Sequence, residues 1–363
     1  MRIVIDIRST LKQKTGIGYY TLNLINNLAK VDLQNRYYLY SKIKFFNPSK
    51  NLPNLPGKNF KHLVNRLGIK SQFFLRGFDI IHTSSYDLVK PKNSKLVLVI
   101  HDVIHKIYPQ FYTSSALQLI ENNLILRLKE ADFVIVDSKA TEEDLLKFYG
   151  YPKEKIKIIY PAIEEIDIPK ANSDFFQKLK SYNIKIPFIL YVGTLEPRKN
   201  VPGLLKAYKI LKDKGGIKHK LVIAGMKGWL WEDIFILYQK LDLKDDVIFT
   251  GYLPRQVLMI LYKTADIFVY PSFYEGAGLP ILEAFSFGLP VITSASSAMQ
   301  EIADDCALLI NPYSPEDIAE AMYTLINNQE LKENLKQKAL NRIKNFSCLD
   351  TARQTLEIFK TIQ

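Results

Sequence analysis

Short apolar runs alternate with longer amphipathic patterns from one end of the chain to the other. In the first half, the apolar runs predict strands at 2–7, 37–41, 79–83, 96–101, 133–137 and 156–160. The pattern then begins afresh, and it predicts strands at 188–193, 221–225, 247–251, 267–270, 291–293 and 307–310. Strands that alternate with helices are typical of βαβ units and parallel sheets. The restart therefore predicts an α/β protein of two doubly wound domains rather than one long sheet.

A different pattern separates the two series of strands. Residues 161–187 carry Pro169, the acidic pair Glu164-Glu165 and a short amphipathic stretch, so we expect a hinge there. Helical patterns without a further strand follow the last apolar run, at 315–327, 330–344 and 349–362. We expect the C-terminal helix to pack back across the hinge.

Two doubly wound sheets that face each other would surround one cleft with the carboxyl ends of their strands. Open α/β folds bind ligands at these strand ends. We therefore expect the functional residues in the loops that follow the strands of both domains.

Composition narrows the class of protein. The chain has 363 residues, of which 47% are hydrophobic and 24% charged, as in folded soluble proteins. Its two cysteines, Cys306 and Cys348, are too few for a disulfide scaffold or a cysteine zinc site, which favours a reducing compartment. Asp6 comes too early for a secretory signal, and no uncharged run is long and unbroken enough to span a bilayer. We expect a cytoplasmic protein that is at most peripheral at the inner membrane face.

Positive charge is concentrated near the N-terminus. Residues 1–90 hold 15 Lys and Arg but only 4 Asp and Glu, whereas the whole chain has a net charge of +12. The stretch 42–76 interleaves lysines and arginines with phenylalanines, which suits an anionic membrane surface, where each cation contributes about 1 kcal/mol. A lysine-rich solvated surface explains the charge equally well. No RNA- or DNA-binding motif is present, so nucleic acid is not an expected partner.

The richest chemistry lies in the loop after the fourth strand of the second domain. It reads Glu275-Gly-Ala-Gly-Leu-Pro-Ile-Leu-Glu283 and leads into a helix whose first turn holds Pro280. Gly276 and Gly278 permit close approach of the backbone, and the unbonded amides of the new helix suit a phosphate. Carboxylates accept hydrogen bonds from hydroxyls, so the two glutamates predict a sugar or ribose on either side. The alternative is that Glu283 only stabilises the first turn of its helix.

A second loop follows the first strand of the same domain. It reads Gly193-Thr-Leu-Glu-Pro-Arg-Lys-Asn200, and Asn200 is predicted to cap the next helix. Arg198 and Lys199 would then lie at the same edge of the sheet as Glu275. Two cations beside unbonded amides are suited to the negative charge that develops on a diphosphate leaving group. Taken alone, an Arg-Lys pair in a loop is more often solvated surface.

Together these segments resemble the retaining glycosyltransferases of family four, the group 1 glycosyltransferases, which have the GT-B fold. Phe-Gly-Leu-Pro-Val-Ile at 287–292, Thr-Gly-Ile-Gly at 15–18 and Asp137-Ser138 with 156–161 extend the resemblance over essentially the whole chain. It implies two Rossmann-like domains that face a cleft. The acceptor-side domain would comprise 1–166 with the returning C-terminal helix at 346–363, and the nucleotide-sugar domain would comprise 167–345.

The resemblance implies transfer of a sugar from a nucleotide diphosphate sugar, with retained anomeric configuration and with no metal ion or cofactor. Glu275 would bind hydroxyls of the donor sugar and Glu283 the ribose, while Arg198 and Lys199 neutralise the diphosphate. His101, which ends a central strand of the first domain, would contact the donor sugar.

Further binding roles come with the same resemblance. Tyr252 would pack beside the base. Glycines and amides of both domains would approach the phosphates or the sugar: Gly16, Gly18, Gly193, Gly276, Gly278 and Leu279. The chain departs from the family at Thr194, where an arginine is common, and Arg198 is the expected substitute.

The function that these motifs favour is hexose transfer, of mannose first and glucose next, to a glycan or lipid-linked acceptor of a surface polysaccharide or lipopolysaccharide. A nicotinamide dehydrogenase fits poorly, because Thr21 replaces the third glycine after Gly16 and Gly18. A sugar-nucleotide epimerase of the same fold would not need the paired cations and acids. A non-enzymatic protein that binds anionic membranes would depend on residues 1–90 alone.

Overall fold

The computed structural model describes residues 1–11, 16–43, 52–164 and 173–363, with only the backbone for 173–176. The chain forms two compact units. The first comprises Met1–Glu164 with Phe346–Gln363, and the second comprises Glu165–Asn345.

A parallel sheet of seven strands, counted over the described residues, forms the centre of the first unit. Its strands are β1 Arg2–Asp6, β2 Arg36–Lys42, β3 Phe60–Asn65, β4 Ile80–Thr83, β5 Lys95–Ile100, β6 Phe133–Val136 and β7 Ile156–Ile158. They lie in the order β3-β2-β1-β4-β5-β6-β7, and all neighbours run parallel. The order reverses beside β1, which makes the sheet doubly wound.

Helices cover this sheet on the connections between strands. They are α1 Gly16–Val31, α2 Ser71–Phe74, α3 Ile104–Ile107, α4 Ser114–Glu130 and α5 Lys139–Tyr149. In α1, Tyr20, Leu24 and Leu28 recur every four residues, so they share one face and are buried in the core beside β1 and β2. Ser138 caps α5 by accepting a hydrogen bond from the Thr141 amide at 3.2 Å.

Strand β3 was not predicted, and it lies in the stretch interpreted as interleaved cations and aromatics. The structure corrects that interpretation for Phe60, whose buried ring stacks on Tyr37 with centroids 4.6 Å apart. Because β3 is the edge strand, its middle residues are only partly buried, and polar side chains hide the apolar pattern. Residues 44–51, including Lys44, Phe45, Phe46 and Lys50, lie outside the described residues.

An exposed region of mixed apolar and basic character follows β3. Leu67 is 77% exposed and Phe73 is 48% exposed. The Arg76 guanidinium lies 5.0 Å from the centroid of the Phe73 ring. We call Arg66, Leu67, Ile69, Lys70, Phe73 and Arg76 the basic apolar patch. None of the helices formed by the described residues combines the length and the apolar character needed to cross a bilayer.

The second unit has a parallel sheet of six strands over the residues described. These strands are β8 Phe188–Val192, β9 Lys220–Ala224, β10 Val247–Gly251, β11 Ile267–Tyr270, β12 Val291–Ser294 and β13 Ala307–Ile310. Their order is β10-β9-β8-β11-β12-β13, so the order reverses beside β8. All six predicted strands are confirmed, with ends that differ by at most one residue.

The helices of the second unit connect these strands and then follow the last one. They are α6 Ser173–Ser181, α7 Val201–Asp213, α8 Glu232–Lys240, α9 Arg255–Thr264, α10 Leu279–Ser286, α11 Ser297–Ala303, α12 Pro315–Asn327 and α13 Gln329–Arg342. Two doubly wound parallel sheets with helices on their connections confirm the predicted fold class.

The last helix, α14 Cys348–Thr361, returns to the first unit as predicted. It packs along α1, and Thr351 donates a hydrogen bond to the carbonyl of Tyr160 at 3.2 Å. Phe359 is fully buried and meets the edge of the His82 ring of β4 at a centroid distance of 5.8 Å. The end of the chain thus completes the core beneath β1 and β4.

We expect Phe359→Ala to destabilise the first unit by about 3–5 kcal/mol, because it leaves a cavity in the core. Hydrogen exchange followed by mass spectrometry should show faster exchange in β1 and β4, with β8 of the second unit unchanged. Phe73→Ala is the matched control and should change stability by less than about 0.5 kcal/mol, since this ring is exposed. Equal loss of protection in β1 and β8 would contradict the assignment of α14 to the first core.

Candidate active site

The carboxyl edge of the second sheet brings four charged side chains together. Arg198 and Lys199 belong to a short 3₁₀ turn between β8 and α7, and Glu196 precedes it. Glu275 lies in the loop between β11 and α10. Because β8 and β11 are neighbours in the sheet, residues almost eighty positions apart in the chain come into contact.

Glu275 holds the centre of this cluster. Its Oε1 accepts hydrogen bonds from Lys199 Nζ at 2.6 Å and from the Tyr270 hydroxyl at 3.0 Å. Its Oε2 accepts a hydrogen bond from Arg198 Nη1 at 2.7 Å. Burial by itself would raise the pKa of Glu275, but the charges of Arg198 and Lys199 outweigh burial and lower it to about 2. Glu275 is therefore a carboxylate at neutral pH although it is only 6% exposed.

Lys199 is as deeply placed as Glu275. Its ammonium also donates to the Tyr270 hydroxyl at 2.6 Å and lies 5.1 Å from the centroid of that ring. Burial lowers the pKa of Lys199, the nearby charge of Arg198 lowers it further, and Glu275 opposes both effects. Burial and the neighbouring Glu275 raise the pKa of Tyr270 well above its usual value, so its hydroxyl stays protonated.

Glu196 is a second buried acid in the same cluster, and it is not among the predicted site residues. It is 3% exposed, and its Oε1 lies 2.5 Å from Arg198 Nε. Burial raises the pKa of Glu196 in spite of the nearby cations. Arg198 therefore bridges two carboxylates, one on each side. Sequence offered no signal for this, because an acid in a polar loop is usually exposed.

Local backbone geometry fixes the turn that carries the cations. As predicted, Asn200 caps α7, and its side chain accepts a hydrogen bond from the Gly203 amide at 3.2 Å. Its amide group also donates to the carbonyls of Pro271 at 3.1 Å and Pro312 at 2.7 Å. Asn200 itself is left-handed, with φ of 53°, a conformation that asparagine tolerates better than most residues. One buried side chain thus ties the turn after β8 to two neighbouring loops.

Close backbone packing explains two glycines at this edge. A Cβ atom at Gly225, just after β9, would lie 1.9 Å from the carbonyl oxygen of Gly193. A Cβ atom at Gly193 would lie 2.8 Å from the Tyr191 hydroxyl. Gly193 was predicted to bind the donor, and Gly225 was not singled out. Both glycines have a packing role that the structure shows directly.

The loop after β11 leads directly into α10. Gly278 is the N-cap with φ of 69°, and Leu279 and Pro280 form the first turn, as the sequence predicted. Pro280 has no N–H, and the Ile281 amide donates to the Gly278 carbonyl at 2.9 Å, so an anion here would meet the Leu279 amide, the amides of the preceding loop and the positive end of the helix dipole. Gly276, Gly278 and Leu279 therefore lie where an anion would be stabilised, while their role in donor binding stays a prediction.

Glu283 is held by partners from α9. It forms an ion pair with Arg255 at the start of that helix, and its Oε2 accepts a hydrogen bond from the buried Tyr262 hydroxyl at 2.9 Å. The predicted ribose-binding acid thus has a structural environment that sequence did not suggest. Tyr252, predicted to pack beside the base, follows Gly251 at the end of β10 and is 47% exposed.

The first unit has its own polar cluster at the carboxyl edge. His101 follows β5, and its Nδ1 lies 2.7 Å from Oδ2 of Asp137, which follows the neighbouring strand β6. The Tyr20 ring lies nearly perpendicular to the imidazole, at a centroid distance of 5.2 Å. Burial would lower the pKa of His101, but the charge of Asp137 outweighs burial and raises it. Burial raises the pKa of Asp137 as well.

Gly16 and Gly18 open α1, and Thr15 lies outside the described residues. Within the part of the chain that the structure describes, no three His, Cys, Asp or Glu side chains come together so that they could hold a metal ion.

Comparison with known families covers both units. The family model for glycosyltransferase family 4 matches residues 15–165, and that for glycosyl transferases group 1 matches residues 173–342. The chain belongs to the family four glycosyltransferases of group 1. The resemblance drawn from the motifs is confirmed, and the protein is a glycosyltransferase.

Individual relatives add detail. The glycosyltransferase is 26% identical to O-antigen chain mannosyltransferase B of Escherichia coli, over 100% of both chains. It is 28% identical to the serotype-specific mannosyltransferase WbdA of Escherichia coli over 77% of this chain, and that match spans only 35% of WbdA. The sucrose-phosphate synthase of Thermosynechococcus elongatus has the same fold, with a TM-score of 0.79 and 20% identity over 99% of this chain and 98% of that one.

We expect Asp137→Asn to lower the pKa of His101, because the substitution removes the negative charge while burial remains. The pH titration of the His101 Cε1 proton, followed by NMR, measures this pKa directly. Asp102→Asn is the matched control and should shift the pKa of His101 less, since Asp102 contributes less than Asp137. An unchanged titration in Asp137→Asn would show that this carboxylate does not control the imidazole.

Proposed function

We propose that this glycosyltransferase moves a hexose, mannose before glucose, from a nucleoside diphosphate sugar to a glycan or lipid-linked acceptor. We propose further that it retains the anomeric configuration and needs no metal ion. The observation that carries the proposal is the buried cluster of Arg198, Lys199 and Glu275 beside the first turn of α10.

Charge and backbone donors support a diphosphate at this cluster. Arg198 offers a planar fork of N–H donors, and Lys199 adds a second positive charge. The Leu279 amide at the start of α10 and the dipole of that helix favour an anion beside them. As the bond to the leaving diphosphate breaks, negative charge grows on the phosphate oxygens, and donors that are already in place stabilise it.

The partners of Glu275 leave room for one hydroxyl of the donor sugar. A carboxylate has about four acceptor positions, and Lys199, Arg198 and Tyr270 occupy three of them. A hydroxyl of the sugar would occupy the fourth. The same carboxylate would then hold the sugar and orient the two cations toward the diphosphate.

Retention is consistent with a reaction at one face of the sugar. The acceptor oxygen forms its bond to the anomeric carbon while the bond from that carbon to the diphosphate oxygen breaks. The departing phosphate oxygen takes the proton of the acceptor hydroxyl, so no separate base is required. Catalysis then depends on positioning and on stabilisation of the leaving group.

Mannose is favoured because relatives that match over most or all of this chain are named mannosyltransferases. The name of the first also supports an O-antigen or similar surface polysaccharide as the product. The acceptor would then be a growing glycan, carried on lipid at the inner face of the membrane, and the protein would work in the cytoplasm. His101, Gly16, Gly18, Gly193, Tyr252 and Glu283 keep their predicted roles in donor binding.

We expect Lys199→Ala to lower the turnover of sugar transfer from GDP-mannose by about 10²–10³-fold, because it removes one contact to the developing charge. Lys209→Ala is the control. It removes an ion pair with Asp213 on the exposed surface of α7 and should leave turnover unchanged. NMR of the product should show the anomeric configuration of the donor. Wild-type turnover in Lys199→Ala would refute the diphosphate site, and an inverted product would refute retention.

The basic apolar patch supports an anionic membrane as a further partner. Residues 33–78 contain no acidic residue, so nothing acidic within that segment offsets Arg66, Lys70 and Arg76. Exposed Leu67 and Phe73 can enter the headgroup region beside these cations.

We expect the protein to sediment at low salt with vesicles of phosphatidylglycerol and phosphatidylcholine, but not with phosphatidylcholine alone. Arg66→Gln with Lys70→Gln should weaken that binding about 30-fold, since each cation contributes about 1 kcal/mol. Lys209→Gln with Lys338→Gln, in the second unit, removes the same charge and should have little effect. Equal binding to both kinds of vesicle would show that the anionic lipid is not a partner of the protein. The proposed sugar transfer would be unaffected by that result.

A further inference from the structure

The diphosphate site contains one buried acid that the proposed reaction does not use. Glu196 pairs with Arg198 Nε at 2.5 Å, whereas Glu275 pairs with Nη1 of the same guanidinium. Its backbone carbonyl accepts the Lys199 amide at 3.1 Å, so the turn holds the acid beside both cations. A buried carboxylate beside a site for an anion opposes the binding of that anion unless its charge changes.

The charges of the cluster cancel before a donor binds. Arg198 and Lys199 carry two positive charges, and Glu196 and Glu275 carry two negative charges when both are ionised. A diphosphate adds negative charge to the same buried volume. Binding therefore favours any step that removes a negative charge from the cluster.

Among the residues that the structure describes, the other ionisable groups near Glu196 cannot supply that change. Tyr191 of β8 is fully buried and its hydroxyl is already neutral, because burial and the nearby acids raise its pKa well above the usual value. Lys227, on the adjacent loop after β9, directs its ammonium onto the Trp231 ring at 3.5 Å from the centroid. Loss of a proton from Arg198 or Lys199 would remove a positive charge and so increase the excess of negative charge in the cluster when a diphosphate is bound.

The two carboxylates differ in how many donors hold them. Glu275 accepts hydrogen bonds from three side chains, all of which favour its ionised form. Glu196 has Arg198 as its charged partner on the same turn, and burial already raises its pKa. A proton that enters the cluster therefore goes to Glu196 rather than to Glu275.

We propose that Glu196 is a positioning residue that takes up one proton from solvent when the diphosphate of the donor binds, and thereby releases Arg198 to the phosphate oxygens. The proton forms an O–H bond on the Glu196 carboxyl group, and the ion pair between Glu196 and the Arg198 Nε–H is replaced by one with phosphate. This inference rests on the proposed function, since it requires a diphosphate at Arg198 and Lys199. The uptake of one proton then becomes part of the equilibrium by which this site binds the donor.

Because donor binding is coupled to proton uptake, the direction in which pH changes the affinity for the donor is fixed. Because the bound state holds one more proton, affinity for the donor falls as pH rises above the pKa of free Glu196, by up to about tenfold per pH unit. Glu196→Gln is neutral at every pH, so its affinity for the donor should lack this dependence. If Glu196 had only a structural role, Glu196→Gln would change the affinity for the donor by the same factor at every pH.

Isothermal titration calorimetry with GDP-mannose tests the proposal directly. Titrations at several pH values between 6 and 9, each in Pipes and in Tris or another pair of buffers with different ionisation enthalpies, give the number of protons taken up. GDP-mannose is a suitable probe because each of its phosphates carries one ester and one anhydride bond and so lacks the second ionisation that a terminal phosphate has near pH ~6. UDP-glucose replaces it if that is the sugar nucleotide that binds.

We expect proton uptake in the wild type to rise toward one proton per donor bound with increasing pH, and to disappear in Glu196→Gln. Asp246→Asn is the matched control. It converts another ion-paired acid of the second unit, partnered by Lys212, to the amide, and it should keep the uptake of the wild type. Absence of uptake in the wild type at every pH overturns the proposal, whether or not Glu196→Gln folds. Uptake that persists in Glu196→Gln also overturns it.

Lys199→Ala separates this failure from a failure of the proposed function. If Lys199→Ala loses affinity for GDP-mannose while the wild type binds without taking up protons, the diphosphate site stands and the role of Glu196 is wrong. If Lys199→Ala binds as tightly as the wild type, the diphosphate site is wrong, and the inference about Glu196 falls with it.

Discussion

The pairing of two buried carboxylates with the buried Lys199 and the partly buried Arg198 is the interaction on which the second unit depends. Each charge would be costly if it were left alone out of water, so Glu275 is stable at this depth only because Arg198 and Lys199 reach it. Asn200 serves this pairing by linking the turn that carries both cations to two neighbouring loops. Gly225 serves it by letting the adjacent loop pack against Gly193. The local backbone can therefore be understood from the requirement that four charges meet.

Parallel topology explains why such clusters form at strand ends in both units. In the second unit, β8 and β11 are adjacent although they are distant in sequence, and their loops bring Lys199 to Glu275. In the first unit, the adjacent strands β5 and β6 bring His101 to Asp137 in the same way. In each unit an acid raises or preserves the positive charge of a basic group that the reaction is proposed to use. The two clusters thus follow one rule, that a doubly wound sheet gathers side chains from loops after neighbouring strands.

Sequence predicted the strands and the loops much better than it predicted the contacts. Fully buried strands such as β11 consist of uninterrupted apolar residues, and they were found with correct bounds. The edge strand β3 was missed because partly exposed polar residues interrupt its pattern. The two loops of the site were recognised from their glycines, prolines and charges. The partners within them were not, because no sequence pattern shows that Arg255 will hold Glu283 or that Arg198 will lie between Glu196 and Glu275.

The contrast between Glu196 and Glu275 shows why these contacts matter for function. Both are glutamates, both are buried, and both touch Arg198, yet the pKa of Glu275 is lowered and that of Glu196 is raised. Burial acts on both in the same direction, so the difference comes from their neighbours. Lys199 donates a hydrogen bond directly to Glu275, and the charge of Glu275 in turn raises the pKa of Glu196. A site of the proposed kind, for a neutral sugar and a charged diphosphate, would need one acid that stays ionised and would tolerate another that can change. The number of hydrogen-bond donors around each carboxylate, rather than the residue type, decides whether that carboxylate stays ionised or can take up a proton.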